Sequence, residues 1–170
     1  MRLFSILFLI LLVGGASQVL AQGTRAIKAD AAYRLTNAHA GRDKSLAVHE
    51  GEVVMSDNSD TPDQLWKFVL EKDGKYRLLN VGEGRAKSLD CRKNGDGFSL
   101  FMGKTGDYSG QSWTVTPLGG GKYRLINEYA GEGKSLDTFK SRVASGFAPV
   151  MNDSGDYSGQ VWTLINETDD

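Results

Sequence analysis

The stretch Thr105–Val115, TGDYSGQSWTV, returns forty-nine residues later as Ser154–Leu164, SGDYSGQVWTL. A phrase kept this closely within one chain marks a structural unit used more than once, and working outward from it exposes that unit. Tyr33-Arg34-Leu35, Tyr76-Arg77-Leu78 and Tyr123-Arg124-Leu125 each open a copy. Four residues past each Tyr stands Asn37, Asn80 or Asn127, eight past it Gly41, Gly84 or Gly131, and twelve past it Ser45, Ser88 or Ser135 within KSL. Met55, Met102 and Met151 each precede by nine residues the glutamine of Gln64-Leu-Trp66, Gln111-Ser-Trp113 and Gln160-Val-Trp162.

Length varies only between each KSL and each Met, where HEGE, RKNGDG and FKSRVASG carry turn formers and charge, as surface loops do. The constant stretches, such as YRLLN, KSLDC, FSLFM and QSWTVT, are short and rich in apolar, aromatic and β-branched residues. They predict strands of about four to six residues. Asp73-Gly74 and Gly119-Gly120-Gly121 punctuate the joins as hairpin turns would. Helix signals are almost absent. The chain therefore reads as all-β, with a four-strand unit of about forty-five residues in three copies, near 31–72, 73–119 and 120–166. One such unit cannot bury its apolar face alone; hairpins from three copies closed into a barrel can, and closure removes the sheet edges. A three-bladed propeller is the geometric rival and makes a poorer ring.

Residues two apart on a strand share a face, so each Gln points with its Trp. Trp66, Trp113 and Trp162 read as structural core. An indole removes about 150–250 Å² from water on burial, on the order of several kcal/mol at ~25 cal/mol per Å². The Gln amide is suited to tie its strand to neighbouring backbone or to the Asp that follows the repeated Ser-Leu. Most of the opening phrase is thus architectural.

Residues 1–21 have a positive start at Arg2, an apolar run from Leu3 to Val13, and Val19 and Ala21 in the small-residue pattern of a cleaved export signal. The expectation is a secreted or periplasmic chain from Gln22 to Asp170, with no membrane insertion after signal removal. That remainder carries nineteen Lys and Arg against twenty-one Asp and Glu, which gives no basic footprint for nucleic acid. Cys91 is the single cysteine, so stability must come from burial rather than from an internal disulfide. Cys91 itself reads as a small core residue.

Three copies of Gln-x-Trp in phase, with Leu-Asp ahead of them in two copies, resemble the ricin-type β-trefoil lectins, over Tyr33 to about Ile165. The resemblance implies a β-trefoil of three pseudo-symmetric four-strand repeats. It also implies one shallow sugar site per repeat, built from an Asp after the Leu, an aromatic on the third strand and an Asn-Gln pair at the fourth. Carried over by position, the second repeat offers Asp90, Phe101 and Gln111. The third keeps Asp137 and Gln160 but has Val150 in place of the ring, and the first has Ala47 and Val54. The residue before Gln is Asp63, Gly110 or Gly159, never Asn. Asp107 with Tyr108, and Asp156 with Tyr157, are candidates to supply a replacement acceptor and ring; the same loop also reads as a tight turn that Gly permits and Asp caps.

His39 and His49 have no ligand-spaced partners and read as solvated loop residues, so no metal site is expected. PLGGGKY lacks the Ser or Thr of a phosphate-binding loop, no carboxylate pair has the spacing of a glycosidase, and neither a catalytic residue nor a cofactor is expected. The expectation is a monomeric, non-enzymatic binder of glycans or polysaccharide through the second and third repeats. The alternatives are a protein-binding trefoil, such as a protease inhibitor or toxin-like effector acting through the loop Phe139–Gly146, and a structural trefoil with vestigial sites.

Overall fold

The computed structural model describes residues 26–140 and 146–168. The stretch 1–21, expected to be an export signal, and most of the loop between Phe139 and Gly146 lie outside the described residues. Twelve strands run in chain order: β1 (Ala32–Asn37), β2 (Gly41–His49), β3 (Glu52–Asp57), β4 (Leu65–Leu70), β5 (Tyr76–Asn80), β6 (Lys87–Asn94), β7 (Gly97–Lys104), β8 (Trp113–Gly119), β9 (Lys122–Asn127), β10 (Lys134–Lys140), β11 (Phe147–Asp153) and β12 (Trp162–Asn166).

Six of them close a ring, each pair antiparallel: β1 with β4, β4 with β5, β5 with β8, β8 with β9, β9 with β12, and β12 back to β1. The other six form three hairpins, β2–β3, β6–β7 and β10–β11, which meet one another through β3, β7 and β11 at one end of the barrel. This is a β-trefoil, with four strands from each copy. Closure leaves no barrel edge for another chain to extend. Several hairpin strands exceed the expected six residues, because pairing continues past the apolar stretch into polar tips: all eight residues of β6 find partners on β7.

The shared residues of the repeat make the threefold axis. Trp66 opposes Tyr33, Trp113 opposes Tyr76 and Trp162 opposes Tyr123, each pair joining the first and fourth strands of one repeat. All three indoles are fully buried in one core cluster with Leu46, Leu89 and Leu136. Each ring N–H also has a carbonyl partner: Trp66 donates to Leu46 O at 2.8 Å, Trp113 to Leu89 O at 3.1 Å and Trp162 to Leu136 O at 2.9 Å. The Trp of the fourth strand thus pins the second strand of its own repeat, joining hydrophobic burial to a satisfied donor. After each first strand, Gly41, Gly84 and Gly131 hold φ of 92°, 73° and 89°, a left-handed conformation that explains why glycine recurs eight residues past each Tyr.

Candidate functional site

The quoted phrase folds into a single 3-10 turn, Ser109–Gln111 in the second repeat and Ser158–Gln160 in the third; Pro62–Gln64 is its counterpart in the first. The expectation that Asp107 and Asp156 cap this turn is corrected. Tyr108 and Tyr157 occupy the cap positions, and no side chain bonds there. What ties the loop is the glutamine that ends it. Gln111 accepts from Gly106 N at 3.1 Å and donates to Lys104 O at 2.8 Å; Gln160 accepts from Gly155 N at 3.0 Å and donates to Asp153 O at 2.7 Å. Gly106 and Gly155 leave room for Tyr108 and Tyr157 to fold back over them: an added Cβ would lie against each Tyr ring.

The same amides hold the carboxylates. Gln111 Nε2 donates to Asp90 Oδ2 at 2.8 Å, and Gln160 Nε2 donates to Asp137 Oδ2 at 3.1 Å. Both glutamines have no exposed surface, so the structure places them behind the carboxylates as positioning residues. The second oxygen of Asp90 accepts from the Cys91 backbone N–H at 2.8 Å.

Opposite each carboxylate stands a glycine, and this accounts for the missing Asn. A Cβ at Gly110 would overlap Asp90 Oδ1 and Cys91 O; at Gly159 it would overlap Asp137 Oδ1 and Thr138 O. The carboxylate and the backbone carbonyl of the next residue together occupy the space that a side chain before Gln would need. The first repeat carries the reciprocal pair, Ala47 at the position of the acid and Asp63 at the position of the glycine. Its Gln64 turns to Asp57 O at 2.7 Å, Ser45 Oγ at 3.0 Å and Arg34 Nη1 at 2.6 Å.

The candidates come together most fully in the third repeat. Asp137, Asn152, Asp156, Tyr157 and Gly159 line one open cavity of about 470 Å³, together with Thr138, Ser158 and His39. Asp156 lies 3.8 Å from Arg124, which also donates to Gly155 O at 2.7 Å. Tyr157 is 60 % exposed, while Asp137 shows only an edge at 6 %. In the second repeat Asp90 and Phe101 are directly opposed across β6 and β7. The Arg92 guanidinium sits 4.5 Å above the Phe101 ring, so one aromatic face is already taken by a cation. Asp107 and Tyr108 open onto a different cleft, about 700 Å³, walled by Val69, Leu70, Glu71 and Arg77.

His39 was not legible as a site residue, because it lies in the first repeat, about a hundred positions from Asp137. Its one signal is that it stands two past Asn37, as Tyr129 stands two past Asn127. Among the described residues no group of three His, Cys, Asp or Glu could hold a metal ion, and no helix is long and apolar enough to cross a membrane.

Residues 62–153 match the profile of a family described as ricin-type beta-trefoil lectin domain-like. No curated protein matches the sequence. Among solved structures, the designed threefold-symmetric protein ThreeFoil is 26 % identical with a TM-score of 0.69, over 79 % of this chain and 98 % of its own. A ricin B-like lectin from Macrolepiota procera, solved in complex with lactose, is 15 % identical with a TM-score of 0.66, over 83 % of this chain and 99 % of its own. An exo-beta-1,3-galactanase from Clostridium thermocellum is 24 % identical with a TM-score of 0.67; the match covers 83 % of this chain but only 31 % of that enzyme.

Proposed function

The chain belongs to the ricin-type beta-trefoil lectin-like family, and from that premise we propose that it is a non-enzymatic carbohydrate-binding module whose sites are the second and third repeats. One observation carries this reading: in those two repeats a carboxylate is fixed in place by a buried glutamine and faced by a glycine, and in the third its edge opens onto a cavity shared with the exposed Tyr157 ring. Sugar hydroxyls take fixed acceptors of this kind, and the C–H face of a pyranose packs on a ring. The first repeat, with Ala47 and Val54, offers neither.

The sites are shallow, so each binds weakly, near millimolar or about 4 kcal/mol; engagement of one polysaccharide by both raises the avidity. The module works as a monomer, exported by the signal at residues 1–21.

The test is calorimetric titration with lactose, other neutral oligosaccharides and polysaccharides, because the three indoles are too deeply buried to report on a surface ligand. Asp90→Asn and Asp137→Asn should each remove one site and together abolish binding, with the thermal midpoint retained. Binding that survives the double substitution would refute the assignment of sites; absence of binding to every glycan would refute the lectin reading.

A further inference from the structure

Building on that reading, we infer that the ring against which sugar packs at each site comes from the following repeat: His39 of the first repeat at the third site, and Tyr129 of the third repeat at the second. The third strand does not provide it. Val150 is no ring, and Phe101 has one face under Arg92 while its edge leans on Gly103, whose added Cβ would lie 3.1 Å from Phe101 Cε2.

His39 is placed with care for an exposed residue. Asn37, 2 % exposed, donates from Nδ2 to Gly159 O at 2.7 Å, and its Oδ1 accepts from Thr138 Oγ1 at 2.7 Å and from the His39 N–H at 2.9 Å. The turn that carries the imidazole is therefore fastened to the two segments that carry Asp137 and Gly159. The ring meets Phe147 edge to face, centroids 5.2 Å apart at 89°. In that geometry at least one imidazole face is free of Phe147, and the side chain lines the same cavity as Asp137, Asp156 and Tyr157.

The second site repeats the device. Asn127 Nδ2 donates to Gly110 O at 2.8 Å and Tyr129 N to Ser109 O at 3.3 Å. Tyr129 meets Phe98 edge to face at 6.3 Å and 89°, and Phe98 holds the place of Phe147. In the first repeat the bracing survives, Asn80 Nδ2 donating to Asp63 O at 2.7 Å. There Gly82 stands where the ring would be, and Gly51 where its Phe partner would be. Ring, partner and carboxylate are thus present together twice and missing together once. A ring serving only to support the fold has no reason to vanish along with the acid, whereas one that shares a ligand with it does. Two carboxylates, Asp137 and Asp156, face the third cavity. They disfavour uronic and sialic acids and select a neutral hexose, whose hydroxyls they accept while its C–H face lies on the imidazole.

The test uses the full chain carrying Asp90→Asn, which leaves the third site alone, titrated with a panel of neutral glycans that includes lactose. His39→Ala should weaken binding roughly tenfold, the scale of one ring contact, and His39→Tyr, which copies Tyr129, should restore most of it. In the parent protein the His39 ring proton signals should shift on addition of sugar. If His39→Ala binds as its parent does while Asp137→Asn abolishes binding, the inference falls and the lectin reading stands. Unshifted ring signals at a saturating sugar concentration overturn it even where His39→Ala misfolds. If nothing on the panel binds either the Asp90→Asn protein or the natural sequence, both fall together.

Discussion

The first and second repeats share a scaffold and differ almost wholly in the side chains around the position of Asp90. Trp66 and Trp113 are equally buried and donate to equivalent leucine carbonyls, and Asn80 and Asn127 brace equivalent 3-10 turns. Above that scaffold every choice is inverted: Ala47 against Asp90, Asp63 against Gly110, Gly82 against Tyr129 and Gly51 against Phe98. The scaffold bonds run almost entirely through backbone carbonyls and the Gln amide, so they hold whether or not the carboxylate is present. Architecture and recognition are separable here because they draw on different atoms.

The largest expected effect tests the shared half of this comparison. Trp66→Ala, Trp113→Ala and Trp162→Ala should each lower stability by about 3–5 kcal/mol in urea unfolding, the usual cost of emptying so large a buried site. One repeat losing much less would break the equivalence. Next comes the inverted half. Gly110→Ala and Gly159→Ala should cost about 1–3 kcal/mol by overpacking, and Asp63→Ala in the first repeat less than about 0.5 kcal/mol, as a half-buried side chain without a tight opposite number. In the Asp90→Ala background Gly110→Ala should become milder, with a coupling of about 0.5–3 kcal/mol in a double-mutant cycle. Additivity would show that the Cys91 carbonyl alone, and not Asp90, sets the clash.

A smaller effect sharpens the comparison at the position after the acid, where Val48, Cys91 and Thr138 are equivalent. Thr138 donates to Asn37, a bond that Cys91 does not supply to Asn127. Cys91→Thr should therefore gain about 0.5–1.5 kcal/mol, the net worth of one hydrogen bond, and Cys91→Val should be close to neutral.

A further effect concerns pH. Burial, with a lesser contribution from the Asp90 charge, raises the Cys91 thiol from an ordinary 9.0 to about 12. The unfolded chain then loses this proton first as pH climbs, so the contribution of Cys91 to stability is unaffected below about 9 and declines between about 9 and 12. Urea midpoints from pH 8 to 11 should fall less steeply in Cys91→Val than in the natural sequence.

Most of the fold could be read in advance because the repeat imposes itself on the letters. The spacing from Tyr to Asn, Gly, Ser, Met, Gln and Trp is a threefold axis written out, and the Gln amide does reach the Asp after Ser-Leu. The site was less legible. A motif carried over position by position treats each repeat as the owner of its own site, so it drew attention to Phe101 and had no way to bring His39 of the first repeat into the cavity that Asp137 lines. It also registered the missing Asn as a loss, although Gly110 and Gly159 are what make room for the acid. Contacts between repeats depend on barrel closure, for which one-dimensional spacing has no term.

The reciprocal exchange of Ala47 with Asp63 sets what a graft would need. Restoring an acid at position 47 in the pose of Asp90 would bring its oxygen toward the Cβ of Asp63, the atom that Gly110 lacks opposite Asp90. Transplanting the carboxylate of the second repeat into the first therefore takes a paired exchange, Ala47→Asp together with Asp63→Gly, and neither half alone reproduces the arrangement.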